Sequence, residues 1–266
     1  MTEEIRLMAR LRDLPTLDQK LDLFAAYLRD EHCYDGFTYG IGLDVSSSEA
    51  ALRTLFLKER GLPAEWMEIY INEQFGQNDP VALHAFTRQD VLPVSRLFQV
   101  ADEGRIGPRF RTVLNRYRDF IQSGFVVPLR AGSIVGGMGL HSSTLTPDQH
   151  DAHFAQSGWL VEEMCRQFHD MVHWAPEIIA HTGLSDKNLA VLELAASGLQ
   201  VDQIRHELGY RTVSSVTSHL ERSRERLAAR SNREMISRAI ALGIVGPGTD
   251  RNGLLISDKL TGLKSA

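Results

Sequence analysis

A run of apolar residues at helical spacing, interrupted by glycines, extends from Leu184 to Val245. Gly198 and Gly209 each follow apolar residues placed three or four positions apart, and glycine directly after such a pattern typically ends a helix. Ser185 precedes the first pattern and belongs to the preferred N-cap residues. The spacing predicts four short helices within 182–246. The second is expected from Val201 to Leu208, the third from just after Thr212, and the fourth from Asn232 to Leu242.

The third predicted helix has two different sides. Val216 and Leu220 lie four positions apart on its apolar side, while the other side carries short hydroxyl side chains first and arginines later. In the recognition helix of a helix-turn-helix, the first residues approach base edges and later cations reach phosphates. We therefore expect double-stranded DNA as a partner. The expected contact residues are Ser214, Ser215, Thr217, Ser218, Arg222 and Arg226.

Charge is unevenly distributed along the chain, whose formal net charge is −5. The segment 182–246 carries nine Lys or Arg against seven Asp or Glu, whereas the remainder carries 20 against 27. This balance argues against a chain that coats nucleic acid, and it makes 182–246 the candidate for meeting phosphate. A plain four-helix unit with a solvated charged face is the alternative, and it explains the turn glycines and clustered arginines less well.

The same segment resembles the C-terminal DNA-binding domain of LuxR-type transcription regulators. The resemblance implies a homodimer on a pseudo-palindromic DNA site, with RNA polymerase as a further partner. Two features depart from the family pattern. Asn188 stands where the family has the Glu of a capping box, which predicts a weaker helix start, and the turn before the third helix is one residue longer. The matching residues are Leu184-Ser185, Leu192, Gly198, Ile204, Leu208-Gly209, Ser215-Val216 and His219-Leu220.

The first two-thirds of the chain alternates helical patterns with short β-branched and aromatic runs. Residues 36–45 and 51–59 flank a serine-rich turn, and 124–131 and 133–142 flank a tight turn at Ala131-Gly132. Helices on both sides of a mostly antiparallel sheet make an α/β/α sandwich, so the fold class is α/β with a C-terminal all-α four-helix domain. Helices are expected at Leu17–Arg29, at 62–75, from Pro80, at 107–122, and from a Thr146 cap to about Trp174. The expected domains are 1–174, a linker 175–181, the helix-turn-helix domain 182–246, and an unassigned tail 247–266.

Trp66, Tyr70, Asp79 and Pro80 stand in the order W-x3-Y-x8-D-P, and Gly124 leads into a later strand. This order resembles the autoinducer-binding domain of quorum-sensing LuxR-type regulators. The resemblance implies an acyl-homoserine lactone as ligand: Trp66 donates to the lactone carbonyl, Asp79 accepts from the amide N–H, and Tyr70 packs along the acyl chain. Pro80 and Gly124 are expected to serve the fold. The alternative is that Trp66 and Tyr70 are only core residues and that Asp79 only caps a helix.

Other expected pocket positions depart from the family. Leu62 occupies the position of a tyrosine that donates to the acyl carbonyl, and Phe98 is the nearest aromatic to a missing second tryptophan. Gly139 and His141 occupy strand positions where Ser or Thr often occurs. Because an unmade buried hydrogen bond costs about 1–3 kcal/mol, these losses predict a lactone without the common substituent, or a different apolar-tailed signal. Tyr39 and Val127 complete the expected ligand-binding residues.

Several function classes are excluded by what the sequence lacks. It has no basic-then-apolar leader and no long apolar run, so we expect a cytoplasmic chain without a membrane span. Two cysteines without ligand spacing, and His150, Asp151 and His153 without a fourth ligand, give no metal site and no cofactor. The glycines within 132–139 lack the Lys-Ser/Thr of a phosphate cradle, and no G-x-S-x-G motif or receiver-domain pattern occurs. We therefore expect neither an enzyme nor a phosphorelay protein.

Together these patterns predict a ligand-responsive transcription factor. The alternative from a different functional class is a ligand-independent DNA-binding protein, whose pocket is vestigial or engaged by a protein partner. An orphan regulator that senses a non-lactone ligand is intermediate between the two.

Overall fold

The computed structural model describes residues 2–43, 53–131, 134–172 and 174–246. The chain divides into two compact units, with the boundary after Val172. Helices of the first unit are α1 (Glu3–Asp13), α2 (Leu17–His32), α3 (Ala64–Asn72), α4 (Pro80–Thr87), α5 (Val94–Asp102), α6 (Pro108–Arg118) and α7 (Pro147–Met171), with a 3₁₀ turn at Phe75–Gln77. Its strands are β1 (Gly36–Leu43), β2 (Arg53–Arg60), β3 (Leu92–Pro93), β4 (Ser123–Ala131) and β5 (Ile134–Ser142).

The five strands form one sheet in the order β2-β1-β5-β4-β3, and every neighbouring pair is antiparallel. The predicted antiparallel sheet is therefore confirmed. The predicted serine-rich turn and Gly132 of the predicted tight turn lie outside the described residues, as does the tail 247–266. In the register, Gly137 of β5 pairs with Gly40 of β1 and with Pro128 of β4. A glycine-rich patch thus lies at the centre of the sheet.

The two faces of this sheet carry different helices. Successive residues of a strand point to opposite faces, so Gly136 and Gly137 report on the two sides. A Cβ placed on Gly136 would come within 3.3 Å of the His169 ring on α7, whereas one placed on Gly137 would come within 2.4 Å of Ala85 Cβ on α4. Helices α7 and α4 therefore pack on opposite faces, which gives the three layers of an α/β/α sandwich. The absence of side chains at Gly136 and Gly137 therefore allows both helices to pack closely on the sheet.

Replacing Gly137 by alanine is expected to lower the free energy of unfolding by about 1–3 kcal/mol, because the added methyl group would force α4 away from the sheet. Urea denaturation of the purified protein measures the change. Gly76→Ala is the matched control, since a Cβ there meets only ordinary contacts with Tyr70 at 3.6 Å, and its effect should stay within about 0.5 kcal/mol. Equal stability of the two variants would contradict the close-packing role.

Local capping rules place several helix ends of this unit. Helix α7 begins after Thr146, whose side chain accepts from the backbone N–H of Gln149, and the Gln149 side chain completes a capping box. Helix α3 is shorter than predicted, because Pro63 is its N-cap and Gln74, with φ 54°, adopts a left-handed conformation that ends the helical path. Helices α1 and α5 and the two-residue strand β3 were not predicted. In the described residues, no helix is both long and apolar enough to span a membrane.

The second unit contains helices only. They are α8 (Trp174–Thr182), α9 (Asp186–Ala196), α10 (Val201–Glu207), α11 (Val213–Arg226) and α12 (Asn232–Ala241). The four helices predicted for 182–246 are all present, with Ser185 and Thr212 as side-chain N-caps of α9 and α11. The expected linker 175–181 lies within α8, where Ile178 is fully buried.

Asn188 contributes more than a helix cap. Its backbone N–H donates to Ser185 Oγ at 3.3 Å, so the side-chain cap predicted to be weak is retained. Its side-chain Nδ2 donates to the carbonyl oxygen of His219 at 3.1 Å and lies 3.4 Å from Ser223 Oγ, both on α11. A carboxylate could not donate these bonds. The amide therefore joins the start of α9 to the middle of α11.

Asn188→Asp is expected to lower the free energy of unfolding by about 1–3 kcal/mol, because the buried donors are lost and a carboxylate faces a carbonyl oxygen. Denaturant unfolding followed by circular dichroism measures the change. The inverse exchange on the same helix, Asp186→Asn at an exposed first-turn position, removes only a helix-dipole interaction of about 0.3–1 kcal/mol. An effect no larger than this control would show that the bonds to α11 contribute little.

Candidate ligand-binding site

A cavity lies between the sheet and the helices of the α4 side. It encloses about 580 Å³ of space, which includes solvent at its mouth. Glycines at three sheet positions leave this space open, because a side chain at any of them would extend toward the helices. The sheet wall is formed by Thr38, Gly40, Leu57, Val126, Gly137, Gly139 and His141. The helix wall is formed by Trp66, Met67, Tyr70, Asp79, Val81, Ala82, Ala85, Phe86 and Tyr117.

Asp79 is a buried carboxyl group at the start of α4. It is the N-cap residue, with Pro80 at the first helical position, and its Oδ1 accepts from the Val81 backbone N–H at 2.8 Å. Its Oδ2 accepts from the Tyr70 hydroxyl at 2.9 Å. Burial raises the pKa of Asp79, and the hydrogen bonds from Tyr70 and from the backbone oppose that rise. The side chain is therefore a fixed acceptor at the edge of the cavity.

Trp66 lies beside this acceptor and is 2% exposed. Its ring makes edge-to-face contacts with Tyr70 and Tyr117, with centroids 5.6 Å and 5.4 Å away. Its indole N–H makes no hydrogen bond to any described residue, and the side chain lines the cavity. Since a buried indole N–H normally finds an acceptor, this donor is available to a ligand.

Tyr117 and His141 form a second polar pair in the cavity wall. The Tyr117 hydroxyl lies 2.9 Å from His141 Nδ1. Burial raises the pKa of Tyr117 well above its usual range, with the charge of Asp79 adding to the rise, so the hydroxyl keeps its proton. Burial, with a smaller contribution from His150, lowers the pKa of His141 to about 3. The pair therefore joins a neutral phenol and a neutral imidazole by one hydrogen bond.

The structure brings together only part of the predicted ligand-binding set. Trp66, Tyr70 and Asp79 converge on the cavity. Tyr39 and Val127 point to the opposite face of the sheet, where the Tyr39 hydroxyl lies 2.9 Å from His169 Nδ1 on α7. The strand period of two explains this placement: Val126, one residue earlier on β4, lines the cavity instead.

Two further predicted positions lie behind the cavity wall. Leu62 packs against the apolar core cluster. The ring centroid of Phe98 lies 6.1 Å from that of Tyr117, and the Arg118 guanidinium lies over the Phe98 ring. Gly124 has φ 153°, and a Cβ there would lie 2.0 Å from the carbonyl oxygen of Leu140. Only glycine fits that position, in keeping with a role in the fold.

Sequence reasoning missed Tyr117 and Thr38 as cavity residues. Tyr117 lies on the buried side of the basic helix α6 with Val113 and Leu114, and helical spacing alone does not distinguish a cavity tyrosine from a core one. Thr38 lies within a predicted strand whose sequence does not indicate which face of the sheet carries the site. His141 and Gly139, by contrast, were located through the family resemblance, and both line the cavity.

The candidate DNA-contacting residues lie on α11. Ser214 and Thr217 are exposed, Ser215 and Ser218 are half-buried, and Ser215 Oγ lies 3.0 Å from the capping hydroxyl of Thr212. Arg222 is exposed and makes no hydrogen bond or ion pair with any described residue. Arg226 differs, because its Nη1 donates to the carbonyl oxygen of Thr182 at 3.0 Å and so ties the end of α11 to the end of α8. Of the two arginines predicted to contact phosphate, Arg222 is therefore the one without a partner among the described residues.

An internal cavity with apolar walls and a few convergent polar groups defines a small-molecule-binding domain of the α/β/α class. The autoinducer binding domain family matches residues 21–174, so the chain belongs to this family, that of LuxR-type quorum-sensing transcriptional regulators rather than of enzymes. The resemblance to the autoinducer-binding domain of quorum-sensing LuxR-type regulators is thereby confirmed.

Individual relatives are distant. RpaR, a quorum sensing-dependent transcriptional regulator of Rhodopseudomonas palustris, is 26% identical over 211 residues, which are 79% of this chain and 83% of RpaR. Escherichia coli SdiA is 16% identical, with a TM-score of 0.49 over 92% of this chain and 98% of SdiA. The N-acylhomoserine lactone dependent LuxR family transcription factor CepR2 from Burkholderia cenocepacia is 13% identical, with a TM-score of 0.45 over 64% of this chain and 91% of CepR2. The family assignment rests on the domain match.

Proposed function

We propose that this chain is a cytoplasmic transcription factor that binds an acyl-homoserine lactone in its first unit and a pseudo-palindromic DNA site through its second. It acts as a homodimer, with one helix-turn-helix for each half-site. The ligand stabilises the first unit and its dimer, which sets the spacing of the two DNA-reading helices.

The observation that carries the ligand assignment is the unpartnered Trp66 donor beside the Asp79 acceptor, in one cavity whose remaining wall is mostly apolar. An acyl-homoserine lactone is neutral and offers a ring carbonyl, an amide N–H and an apolar tail. The indole N–H can donate to the ring carbonyl, and the carboxyl group can accept from the amide N–H. Met67, Val81 and Phe86 line the remaining space and suit an acyl chain.

Thermal unfolding with a panel of acyl-homoserine lactones of different chain lengths tests this assignment. A ligand that binds only the folded chain raises its melting temperature, and at 100 times Kd it adds about 2.7 kcal/mol of stability. The hydrolysed, ring-opened form of each lactone is the matched control, because its carboxylate cannot enter an apolar cavity without a large desolvation cost. No stabilisation by any lactone in the panel would remove the lactone from the proposal.

A second candidate is a regulator of the same family that senses a non-lactone, apolar-tailed ligand or binds DNA without one. It is favoured by the departures at Leu62 and Gly139, which remove two hydroxyl groups from the ligand environment. Mass spectrometry of molecules that copurify with the protein would identify such a ligand. A DNA affinity that is the same with and without those molecules would favour the ligand-independent regulator.

The DNA assignment is supported by α11, which is preceded by α10 and a turn at Gly209 and presents hydroxyls followed by arginines. Ser214, Ser215, Thr217 and Ser218 are proposed to face bases, and Arg222 to contact phosphate. Arg226 is proposed to position the end of α11, while its remaining guanidinium nitrogens approach the DNA phosphate backbone. The exposed Trp159 on α7 is a candidate for the dimer interface.

Arg222→Ala is expected to weaken binding to every duplex by a similar factor and to lower the salt slope of the binding constant by about 0.9, which corresponds to one lost phosphate contact. Fluorescence anisotropy titrations at several salt concentrations measure both effects, with a duplex selected by the wild-type protein and a random one. Arg109→Ala removes the same charge from the first unit and should leave the slope unchanged. A wild-type slope in the Arg222 variant would argue against phosphate contact.

A further inference from the structure

Two polar side chains surround the place where this chain lacks the family's strand hydroxyl. A Cβ built on Gly139 would lie 2.9 Å from Thr38 Oγ1 and 3.5 Å from His141 Nε2. Both side chains therefore border the space that the missing side chain leaves open, and both line the cavity. Neither Thr38 Oγ1 nor His141 Nε2 makes a hydrogen bond to a described residue.

The contact with Tyr117 bears on which ring nitrogen of His141 carries the proton. The phenol oxygen lies 2.9 Å from Nδ1, and when the hydroxyl donates, Nδ1 is the unprotonated nitrogen and Nε2 bears the hydrogen of the neutral ring. His141 is 5% exposed, and Nε2 lies on the side of the ring that borders Gly139. In that arrangement the cavity contains a neutral N–H donor of fixed orientation, and Tyr117 is its positioning residue.

We propose that Tyr117 donates to His141 Nδ1 and that His141 Nε2–H, assisted by the Thr38 hydroxyl, donates to the acyl carbonyl oxygen of the ligand. This inference rests on the proposed function, since it assumes an N-acyl ligand in this cavity. The chain lacks a tyrosine at position 62 and a hydroxyl at position 139, so the donors to this oxygen come from β1 and β5. Acyl-carbonyl recognition is moved within the cavity and is not lost.

The chemistry of the pair restricts the ligand. A neutral donor recognises a carbonyl or ether oxygen without requiring charge on the ligand, and an N–H presented to an apolar group would stay unpaired in a buried site. The His141 donor therefore selects ligands that carry an oxygen acceptor close to the amide N–H that donates to Asp79. An apolar molecule without such an oxygen is disfavoured.

Two substitutions at one position separate donation to the ligand from bonding to Tyr117. His141→Asn places an amide near Nδ1, where it can still accept from Tyr117, but leaves nothing at Nε2. His141→Gln extends its amide N–H to the place of Nε2. With N-octanoyl-homoserine lactone, we expect the Asn variant to bind about 10- to 100-fold more weakly and the Gln variant within about 5-fold of wild type. Thr38→Val, nearly isosteric, should weaken binding by about 3- to 10-fold.

Isothermal titration calorimetry on the full chain gives these constants, and ligand-free melting temperatures verify that each variant folds. Wild-type affinity in the Asn variant, or equal losses in the Asn and Gln variants, would overturn the proposal. If wild type itself binds no lactone, the proposed function fails first, and that outcome is distinct from wild-type binding that His141 does not influence.

Nitrogen-15 NMR of histidine in the wild-type protein gives a test that needs no variant to fold. The ligand-free spectrum should show His141 as the Nε2–H tautomer, and N-octanoyl-homoserine lactone should shift the Nε2 resonance while Nδ1 changes little. An Nδ1–H tautomer, or an Nε2 resonance that does not respond to bound ligand, would overturn the assignment.

Discussion

An Asp79→Asn protein is expected to keep its fold and to bind acyl-homoserine lactones about 100-fold more weakly. Asparagine is as good an N-cap as aspartate, so its Oδ1 can still accept from the Val81 N–H and start α4. Its amide nitrogen then replaces the oxygen that accepts from Tyr70, and a donor faces the hydroxyl and the ligand N–H. Loss of a buried hydrogen bond to a charged group costs about 1.5–3 kcal/mol, or roughly 10- to 150-fold in Kd.

Calorimetric titration with the tightest-binding lactone of the panel measures this loss, together with the ligand-free melting temperature. Glu65→Gln is the matched control, because it makes the same carboxylate-to-amide exchange at an exposed first-turn position of α3, and its Kd should equal that of wild type. An unchanged Kd in the Asp79 variant, in a wild-type protein that does bind lactone, would show that the ligand amide is accepted elsewhere.

The free energy of unfolding is expected to fall by roughly 3–5 kcal/mol as the pH decreases from 6.5 to 4.5. Burial lowers the pKa of His141 to about 3 and that of His169 to about 4, while an unfolded histidine titrates near 6.5. Below pH 6.5 these histidines therefore bind protons in the unfolded chain but stay neutral in the folded chain. Each such histidine removes about 1.4 kcal/mol of stability per pH unit until its folded pKa is reached.

Other groups modify this window in known directions. Burial also lowers the pKa of His150, which adds to the loss. Asp79 acts oppositely, because a folded pKa above the unfolded value favours the folded chain as the pH falls. The Arg60 hydrogen bond lowers the pKa of Asp18, so its contribution is lost only at lower pH, below the histidine window.

Urea denaturation at a series of pH values between 7 and 4.5 measures the slope of stability against pH. The His141→Gln variant removes one of the two strongly shifted histidines and should show about half the wild-type slope. A protein equally stable at pH 7 and pH 4.5 would contradict the buried, neutral state of these histidines.

Local sequence rules located much of the scaffold but not the side chains that face the cavity. Thr146 with Gln149 and Thr212 with Ser215 are capping signals only three residues apart, so the starts of α7 and α11 could be predicted. Val126 and Val127 are neighbours on β4, but only Val126 lines the cavity. Both are buried β-branched residues in a continuous apolar run, and nothing local states which face holds the ligand.

The second unit shows the same division between local and distant information. The hydroxyl-then-arginine pattern of α11 is visible in the sequence, and both arginines follow from it equally well. Only the folded chain places the Thr182 carbonyl, 44 residues away, against Arg226 and leaves Arg222 without a partner among the described residues. Asn188 is similar, since its bond to His219 spans 31 residues.

The sequence by itself determined the class of this protein through three signals: the capped helix starts, the spacing of Trp66, Tyr70 and Asp79, and the four C-terminal helices. These depend on residues a few positions apart, where capping and periodicity act. The tertiary structure alone decided that Tyr117 meets His141, 24 residues further along, and that this pair faces the space left by Gly139. Such pairings depend on strand register and on helix packing, which no short stretch of sequence specifies.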